Sequence, residues 1–116
     1  MENWTVQQTA QALENGEIIL VDVREPDEYH AERIRGALLY PLSTFDPAGL
    51  PLGQGRQVVL HCKAGGRSAQ AVQACVGAGL DVTAHMAGGM QGWKAEGMTY
   101  FRFNPASGRM EEAADS

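Results

Sequence analysis

Residues 58–68 read VVLHCKAGGRS, and the rest of the chain can be interpreted outward from this segment. Three apolar residues that favour β-structure run into His61 and Cys62, and a short glycine-containing turn follows. After Arg67 comes an alanine-rich segment whose apolar residues have helical spacing. The segment therefore predicts a strand, a tight loop and a helix, with Cys62 as the first residue of the loop.

Cys62 is predicted to lie in an anion-binding loop. The unpaired backbone N–H groups at the start of a helix point into such a loop, and the helix dipole adds positive potential there. Gly65 and Gly66 carry no side chain that would block the turn, and both can take positive φ. The thiol of Cys62 should then ionise easily, with Arg67 nearby. The alternative is a buried structural cysteine at the end of a core strand, which would need neither the glycines nor the arginine.

Composition restricts the chain to a small globular domain. It has 116 residues, 44% of them hydrophobic and 20% charged, which is enough for one hydrophobic core. A net charge of −5 argues against nucleic acid or an anionic membrane as a partner. The first residues lack the basic and apolar regions of a signal peptide, and no apolar run is as long as a membrane span. Because the two cysteines also suit a reducing compartment, we expect a cytoplasmic protein.

The order of the predicted elements indicates an α/β fold. Thr5 and Gln8 match a capping box at the start of a helix, which Asn15 and Gly16 should end. Further helices are predicted from Pro26, Ser68 and Met90, and strands over residues 18–23, 37–40, 57–61 and 82–85. Strands that alternate with helices predict a three-layer fold, in which a mostly parallel β-sheet has helices on both faces.

The carboxyl ends of parallel strands meet at one edge of a sheet, which is where ligands bind. Asp22, Arg24 and the Cys62 loop should therefore lie together. We expect Asp22 and Arg24 to be a structural pair or a brace under the loop rather than acid–base groups. By strand alternation, the side chain of His61 should face away from Cys62.

The remaining titratable side chains are interpreted as structural or surface groups. Cys75 lies on the apolar face of the predicted third helix and should pack in the core. His30 and His85 lack partner ligands at metal-binding spacing, so both are predicted to be surface residues. We expect neither a metal nor another cofactor.

Taken together, these segments resemble the rhodanese (sulfurtransferase) family. The resemblance rests on VDVRE at 21–25 with Glu28-Tyr29, on IRGA at 34–37, and on residues 59–68 with GGMQGW at 88–93. It implies a rhodanese-like domain over residues 1–100 and a C-terminal extension over residues 101–116, which we expect to be partly flexible and to fray from Met110 onward. The chain departs from the family pattern in two places. Glu32-Arg33 replaces a usual Gly-His, and Met98 stands where proline is common.

The family's chemistry implies that Cys62 is the catalytic residue. Its thiolate would attack the sulfane sulfur of thiosulfate or a persulfide donor, and the resulting Cys62 persulfide would pass that sulfur to a thiol, to cyanide or to a protein acceptor. For Arg67, two roles stay open, since it could bind the sulfonate oxygens of a donor or shape the loop, while Lys63 could bind the same oxygens or remain solvated. The residues that the resemblance assigns to substrate binding are Lys63, Ala64, Gly65, Gly66, Arg67 and Ser68.

Two other functions also fit parts of the sequence. A cysteine phosphatase has a similar His-Cys-loop-Arg motif, but its loop carries five residues between Cys and Arg, whereas four separate Cys62 from Arg67 here. A phosphatase also needs a general acid, for which the sequence offers no evident candidate. A non-catalytic binding module of rhodanese-like fold is the third hypothesis, although such modules typically lose the cysteine.

Overall fold

The central sheet has five strands that are all parallel to their neighbours. The protein is described by a computed structural model over residues 1–115. Its elements in chain order are β1 (Glu2–Trp4), α1 (Val6–Glu14), β2 (Ile18–Asp22), α2 (Pro26–Ala31), β3 (Glu32–Arg33), β4 (Leu38–Leu39), β5 (Gln57–His61), α3 (Gly66–Gly77), β6 (Ala84–Met86), α4 (Gly89–Ala95), β7 (Tyr100–Asn104) and β8 (Arg109–Ala113). The sheet order β1-β6-β5-β2-β4 places β5, the strand that leads to Cys62, in the middle. The α/β fold predicted from the sequence is confirmed.

The two faces of this sheet pack against different helices, because side chains alternate along each strand. Leu20 and Val59 are fully buried on the face covered by α1 and α4. Val21 and Leu60, their neighbours in the chain, pack on the opposite face against α3. Helices therefore cover both faces, and the loop between β5 and α3 emerges at the carboxyl edge of the sheet.

The local helix signals agree with the structure. The Thr5 hydroxyl accepts the Gln8 N–H at 3.0 Å, and the Gln8 side chain accepts the Thr5 N–H at 3.4 Å, so the capping box is formed. Gly16 follows α1 with φ of 70°. Pro26 is the first residue of α2, where its missing N–H costs nothing. A single turn of 3-10 helix lies at Leu42–Thr44, in the connection between β4 and β5.

A second, antiparallel sheet holds the C-terminal residues and was not predicted. Strands β7 and β8 form a hairpin, and β7 pairs with β3 in the order β3-β7-β8. The expectation that the chain frays from Met110 is therefore wrong for residues 110–113, and Ser116 lies outside the described residues. The strand was not recognisable because β8 reads RMEEA and lacks the alternation of a half-buried strand. The domain boundary at residue 100 stays a prediction.

The N-terminal residues also form an element that sequence patterns did not reveal. Strand β1 is three residues long and pairs with β6 in parallel, with Asn3 opposite His85. Strand β6 begins at Ala84, two residues later than predicted. Within residues 1–115, no helix combines the length and the apolar character needed to cross a membrane.

Candidate active site

The Cys62 side chain points into the turn between β5 and α3, where backbone amides surround its sulfur. The N–H groups of Gly65 and Ser68 donate to Cys62 Sγ over 3.1 and 3.3 Å. Ser68 Oγ lies 3.5 Å from the same sulfur, and Cys62 as a whole is 1% exposed. The structure thus brings Cys62, Gly65 and Ser68 together around one sulfur atom.

These contacts determine the ionisation of the thiol. Burial by itself raises the pKa of Cys62, because a thiolate loses its hydration there. Hydrogen bonds from the Ser68 hydroxyl and from the N–H groups of Ser68, Gly65 and Ala64 act in the opposite direction and outweigh the burial. The pKa of Cys62 is lower than its ordinary value as a result. The thiol of Cys75, by contrast, is fully buried in the core as predicted, and burial raises its pKa.

The two loop glycines differ in what they contribute. Gly65 has φ of 105°, and a side chain there would collide with the carbonyl oxygen of Ala87, so this position requires glycine. Gly66 is the first residue of α3, where it does not have positive φ, and no atom lies within 4 Å of the point where its Cβ would stand. Of the two glycines that can take positive φ, only Gly65 does so.

The start of α4 supports the loop from behind. The N–H groups of Met90 and Gln91 donate to the carbonyl oxygens of Cys62 and Lys63, at 2.8 and 2.9 Å. Gly89 has φ of 61°, and a Cβ on it would lie 2.6 Å from the Cys62 oxygen. The glycine-rich connection before α4 therefore allows a close backbone contact that fixes the active-site loop.

Arg67 forms an ion pair with Glu28, a residue to which the sequence interpretation gave no role. Two parallel hydrogen bonds join its guanidinium to the carboxylate, at 2.6 and 2.9 Å. These bonds lower the pKa of Glu28 to about 2, although partial burial opposes the shift, and they raise the pKa of Arg67. Glu28 also accepts the N–H of Glu25 at 3.1 Å, so the pair connects α3 to the first turn of α2. No local pattern could have revealed a contact between residues 39 positions apart.

Asp22 and Arg24 form a buried pair beside the loop. Arg24 donates to both Asp22 oxygens from Nε and Nη2, at 2.8 to 3.1 Å, and Nη2 also donates to the Glu32 carbonyl. His61 is fully buried, and its Nε2 lies 3.5 Å from Asp22 Oδ2. Burial holds the pKa of His61 below its usual value. The predicted pairing of Asp22 with Arg24 is present, and bracing of the loop by the pair stays a prediction.

His85 is the residue whose predicted position is wrong. It is 4% exposed, and both ring nitrogens are hydrogen-bonded, Nδ1 to Ser68 Oγ and Nε2 to Asn3 Oδ1, each at 2.8 Å. The prediction failed because β1, which covers His85, carries no recognisable strand pattern. His30 is exposed, in agreement with its prediction.

A cavity of about 460 Å³ opens next to the loop. Lys63 is exposed on its wall. Cationic and anionic side chains both line the cavity, and Lys94 is paired with Glu32 at 2.9 Å. The side chains that line the cavity include Arg24, Glu28, Lys63, Met90, Gln91 and Lys94. A bound molecule would therefore meet charged groups of both signs together with the apolar side chains of Ala31, Met90 and Ala95.

Comparison with known proteins places this geometry in a family. A model of the rhodanese-like domain matches residues 5–96. An uncharacterized protein of Synechocystis is 42% identical over 81 residues, which cover 70% of this chain and 45% of that protein. The chain thus spans about half the length of this curated relative.

Solved structures agree in fold. The human single-domain sulfurtransferase TSTD1 superposes with a TM-score of 0.68 at 26% identity, covering 80% of this chain and 95% of that one. The thiosulfate sulfurtransferase of Pseudomonas aeruginosa has a TM-score of 0.78 at 21% identity, covering 100% of this chain and 22% of that one. The second likeness concerns the fold alone, and it includes the C-terminal hairpin.

Proposed function

Because this chain belongs to the rhodanese-like domain family, we propose that it is a sulfurtransferase that carries a sulfane sulfur on Cys62 as a persulfide. The observation that carries the proposal is the pair of amides, from Gly65 and Ser68, that donate to Cys62 Sγ. Such donors stabilise negative charge on sulfur, both on the resting thiolate and on a terminal persulfide sulfur. They act without rearrangement because Gly65 and the start of α4 hold the loop.

The reaction consists of two displacements at sulfur. The Cys62 thiolate attacks the sulfane sulfur of a donor such as thiosulfate, so that an S–S bond to Cys62 forms and the donor's own S–S bond breaks. Sulfite leaves with the electron pair of that bond. An acceptor thiolate or cyanide then attacks the terminal sulfur, and the Cys62 thiolate leaves with its electron pair. Each half-reaction is complete before the other begins, which gives ping-pong kinetics.

The two cationic residues of the loop, Lys63 and Arg67, have different roles. Arg67 is engaged by Glu28 through both arms of its guanidinium, which supports a role in shaping the loop. Lys63 is exposed on the cavity wall and is the better candidate for contact with the sulfonate oxygens of a donor. The acceptor would enter through the same cavity.

Both cysteines are free, which supports a reducing compartment such as the cytoplasm.

Intact-mass spectrometry tests this function directly. After incubation with thiosulfate, the protein should gain the mass of one sulfur atom, and cyanide or a small thiol should remove it. Cys62→Ser should abolish the gain and the thiosulfate:cyanide sulfurtransferase activity, while Cys75→Ser, which changes only a core thiol, should keep both. Hydrolysis of an aryl phosphate without any sulfur gain would instead favour the phosphatase, whose loop is one residue longer. A protein that does neither would be a binding module.

A further inference from the structure

The hydroxyl of Ser68 connects Cys62 to a buried histidine. Ser68 Oγ lies 3.5 Å from Cys62 Sγ and 2.8 Å from His85 Nδ1. On the far side of the ring, His85 Nε2 lies 2.8 Å from Asn3 Oδ1. Four side chains from α3, β6, β1 and the catalytic loop thus form one continuous hydrogen-bonded chain that ends at the reactive sulfur.

The direction of each hydrogen bond follows from what these groups can donate. The carboxamide oxygen of Asn3 only accepts, so His85 Nε2 carries a hydrogen. Nδ1 of a neutral His85 is then an acceptor, and the Ser68 hydroxyl donates to it at 2.8 Å in preference to the more distant Gly65 carbonyl oxygen at 3.2 Å. Ser68 has one hydroxyl hydrogen, and this hydrogen cannot also point at Cys62 Sγ. With a neutral His85, the Ser68 hydroxyl therefore accepts from the Cys62 thiol, and Ser68 stabilises a thiolate through its backbone N–H alone.

A proton at His85 Nδ1 reverses the direction of the hydrogen bonds between His85, Ser68 and Cys62. The ring then donates to Ser68 Oγ, and the serine hydrogen is released toward Cys62 Sγ and the Gly65 carbonyl oxygen, of which only a thiolate sulfur carries a negative charge. Stabilisation of the thiolate by the Ser68 hydroxyl thus requires a proton on His85 Nδ1. The proton that leaves the Cys62 thiol can be the proton that His85 Nδ1 takes up.

We propose that Cys62, Ser68 and His85 form a proton relay in which His85 takes up the proton that Cys62 releases. In this step the Cys62 S–H bond breaks as an O–H bond forms at Ser68, and the original Ser68 O–H bond breaks as an N–H bond forms at His85 Nδ1. The products are a thiolate and an imidazolium, and the net charge is unchanged. His85 is a positioning residue that acts through Ser68, and Asn3 orients its ring. The relay rests on the proposed function only in that it prepares the same thiolate.

The surroundings of His85 make it responsive to Cys62. Its packing neighbours are β1, β5 and α3, and the ionisable groups that these elements bring to this region are the Met1 amine, Glu2, His61, Cys62 and Arg67. Burial and the Met1 amine hold the pKa of His85 below its ordinary value. In the described part of the chain, no carboxylate pairs with the ring. An imidazolium at this position therefore depends on the Cys62 thiolate for stabilisation.

Side-chain ¹⁵N NMR of the histidine rings tests the relay without any variant. His85 should titrate with a midpoint about 0.5 to 1 pH unit lower after Cys62 is alkylated with iodoacetamide, because the neutral adduct removes the thiolate. The exposed ring of His30 is the internal control and should not respond. In Ser68→Ala, alkylation of Cys62 should move the His85 midpoint by less than half as much as in the wild-type protein. Without the Ser68 hydroxyl, the Cys62 thiolate and the His85 imidazolium would interact only through space. An unchanged His85 midpoint in the wild-type protein would overturn the proposal, as would full coupling in Ser68→Ala.

A second measurement follows the thiol. His85→Asn keeps a polar side chain beside Ser68 but cannot hold the extra proton, so it should slow alkylation of Cys62 at pH 6.5 by about three- to tenfold. His30→Asn is the matched control and should leave the rate unchanged. Equal rates in wild type and His85→Asn would refute the relay. Neither measurement requires sulfur transfer, so a failed relay and a failed sulfurtransferase assignment give different results.

Discussion

The ion pair between Arg67 and Glu28 gives the most quantitative prediction for this protein. The pKa of Glu28 falls from 4.5 to about 2 in the folded state, chiefly because of the hydrogen bonds from Arg67. A displacement of this size corresponds to about 3 kcal/mol. The two side chains are 33% and 27% exposed, so solvent screening reduces the figure, and we expect about 1 to 2 kcal/mol.

The perturbation is Glu28→Gln, which keeps the size of the side chain and removes its charge. Because the folded state lowers the pKa of Glu28, its carboxylate stabilises the fold above pH 4.5 and loses this effect as the pH falls toward 2. Urea unfolding should show a loss of about 1 to 2 kcal/mol at pH 7. Roughly two fifths of that difference from the wild type should disappear by pH 3.5, given these two pKa values.

Asp27→Asn is the matched control, because Asp27 is the exposed neighbour of Glu28 in the first turn of α2. It removes a charge at the same helix end without breaking a pair, and should cost about 0.5 kcal/mol. Two results would refute the reasoning. One is a Glu28→Gln loss no larger than that of Asp27→Asn, and the other is a difference from wild type that stays constant between pH 7 and pH 3.5.

Two further predictions concern the loop and its sulfur. Gly89→Ala should lower the free energy of unfolding by about 2 to 4 kcal/mol in urea denaturation, because the new Cβ would meet the Cys62 and Lys63 carbonyl oxygens and residue 89 has positive φ. Gly66→Ala is the control, since the space around Gly66 is open, and it should cost less than about 1 kcal/mol. Equal losses in the two variants would contradict the close backbone contact at Gly89. The rate of Cys62 alkylation should increase with pH, and the midpoint of this increase should lie below the ordinary thiol pKa of about 8.5. Cys75, which is buried, should stay unmodified in the folded protein. A midpoint at or above about 8.5 would contradict the lowered pKa of Cys62.

The features that the sequence predicts well are those encoded by neighbouring residues. The capping box at Thr5, the proline that begins α2 and the apolar run of β5 each depend on a few adjacent positions, and each is confirmed. Alternation of these elements was enough to predict a parallel sheet and the edge at which Cys62 lies. The loop geometry followed because strand, glycine turn and helix are consecutive in the chain.

The features that the sequence did not reveal depend on residues far apart in the chain. Glu28 and Arg67 meet only after α2 and α3 have packed at one edge of the sheet. His85 looked like a surface residue because the strand that covers it comes from the N-terminus, 82 positions away. Strand β8 is held by backbone pairing with β7, and β7 is anchored by Tyr100, which is buried in the core. Because backbone groups hold β8 in place, the acidic side chains of β8 give no indication of a strand. In each case tertiary pairing overrides local pattern.

The opposed influences on Cys62 suit a residue that must be both nucleophile and leaving group. Lowering the pKa of a thiol increases the thiolate fraction but reduces its intrinsic nucleophilicity, so the best attacking thiol has a pKa near the ambient pH. Burial raises the pKa of Cys62 and the amides of Gly65 and Ser68 lower it, which limits the net shift. Without a relay, the proton from each ionisation would have to leave a sulfur that is 1% exposed. A buried acceptor linked through Ser68 removes that requirement, because the proton stays inside the protein and can return when the thiolate is consumed.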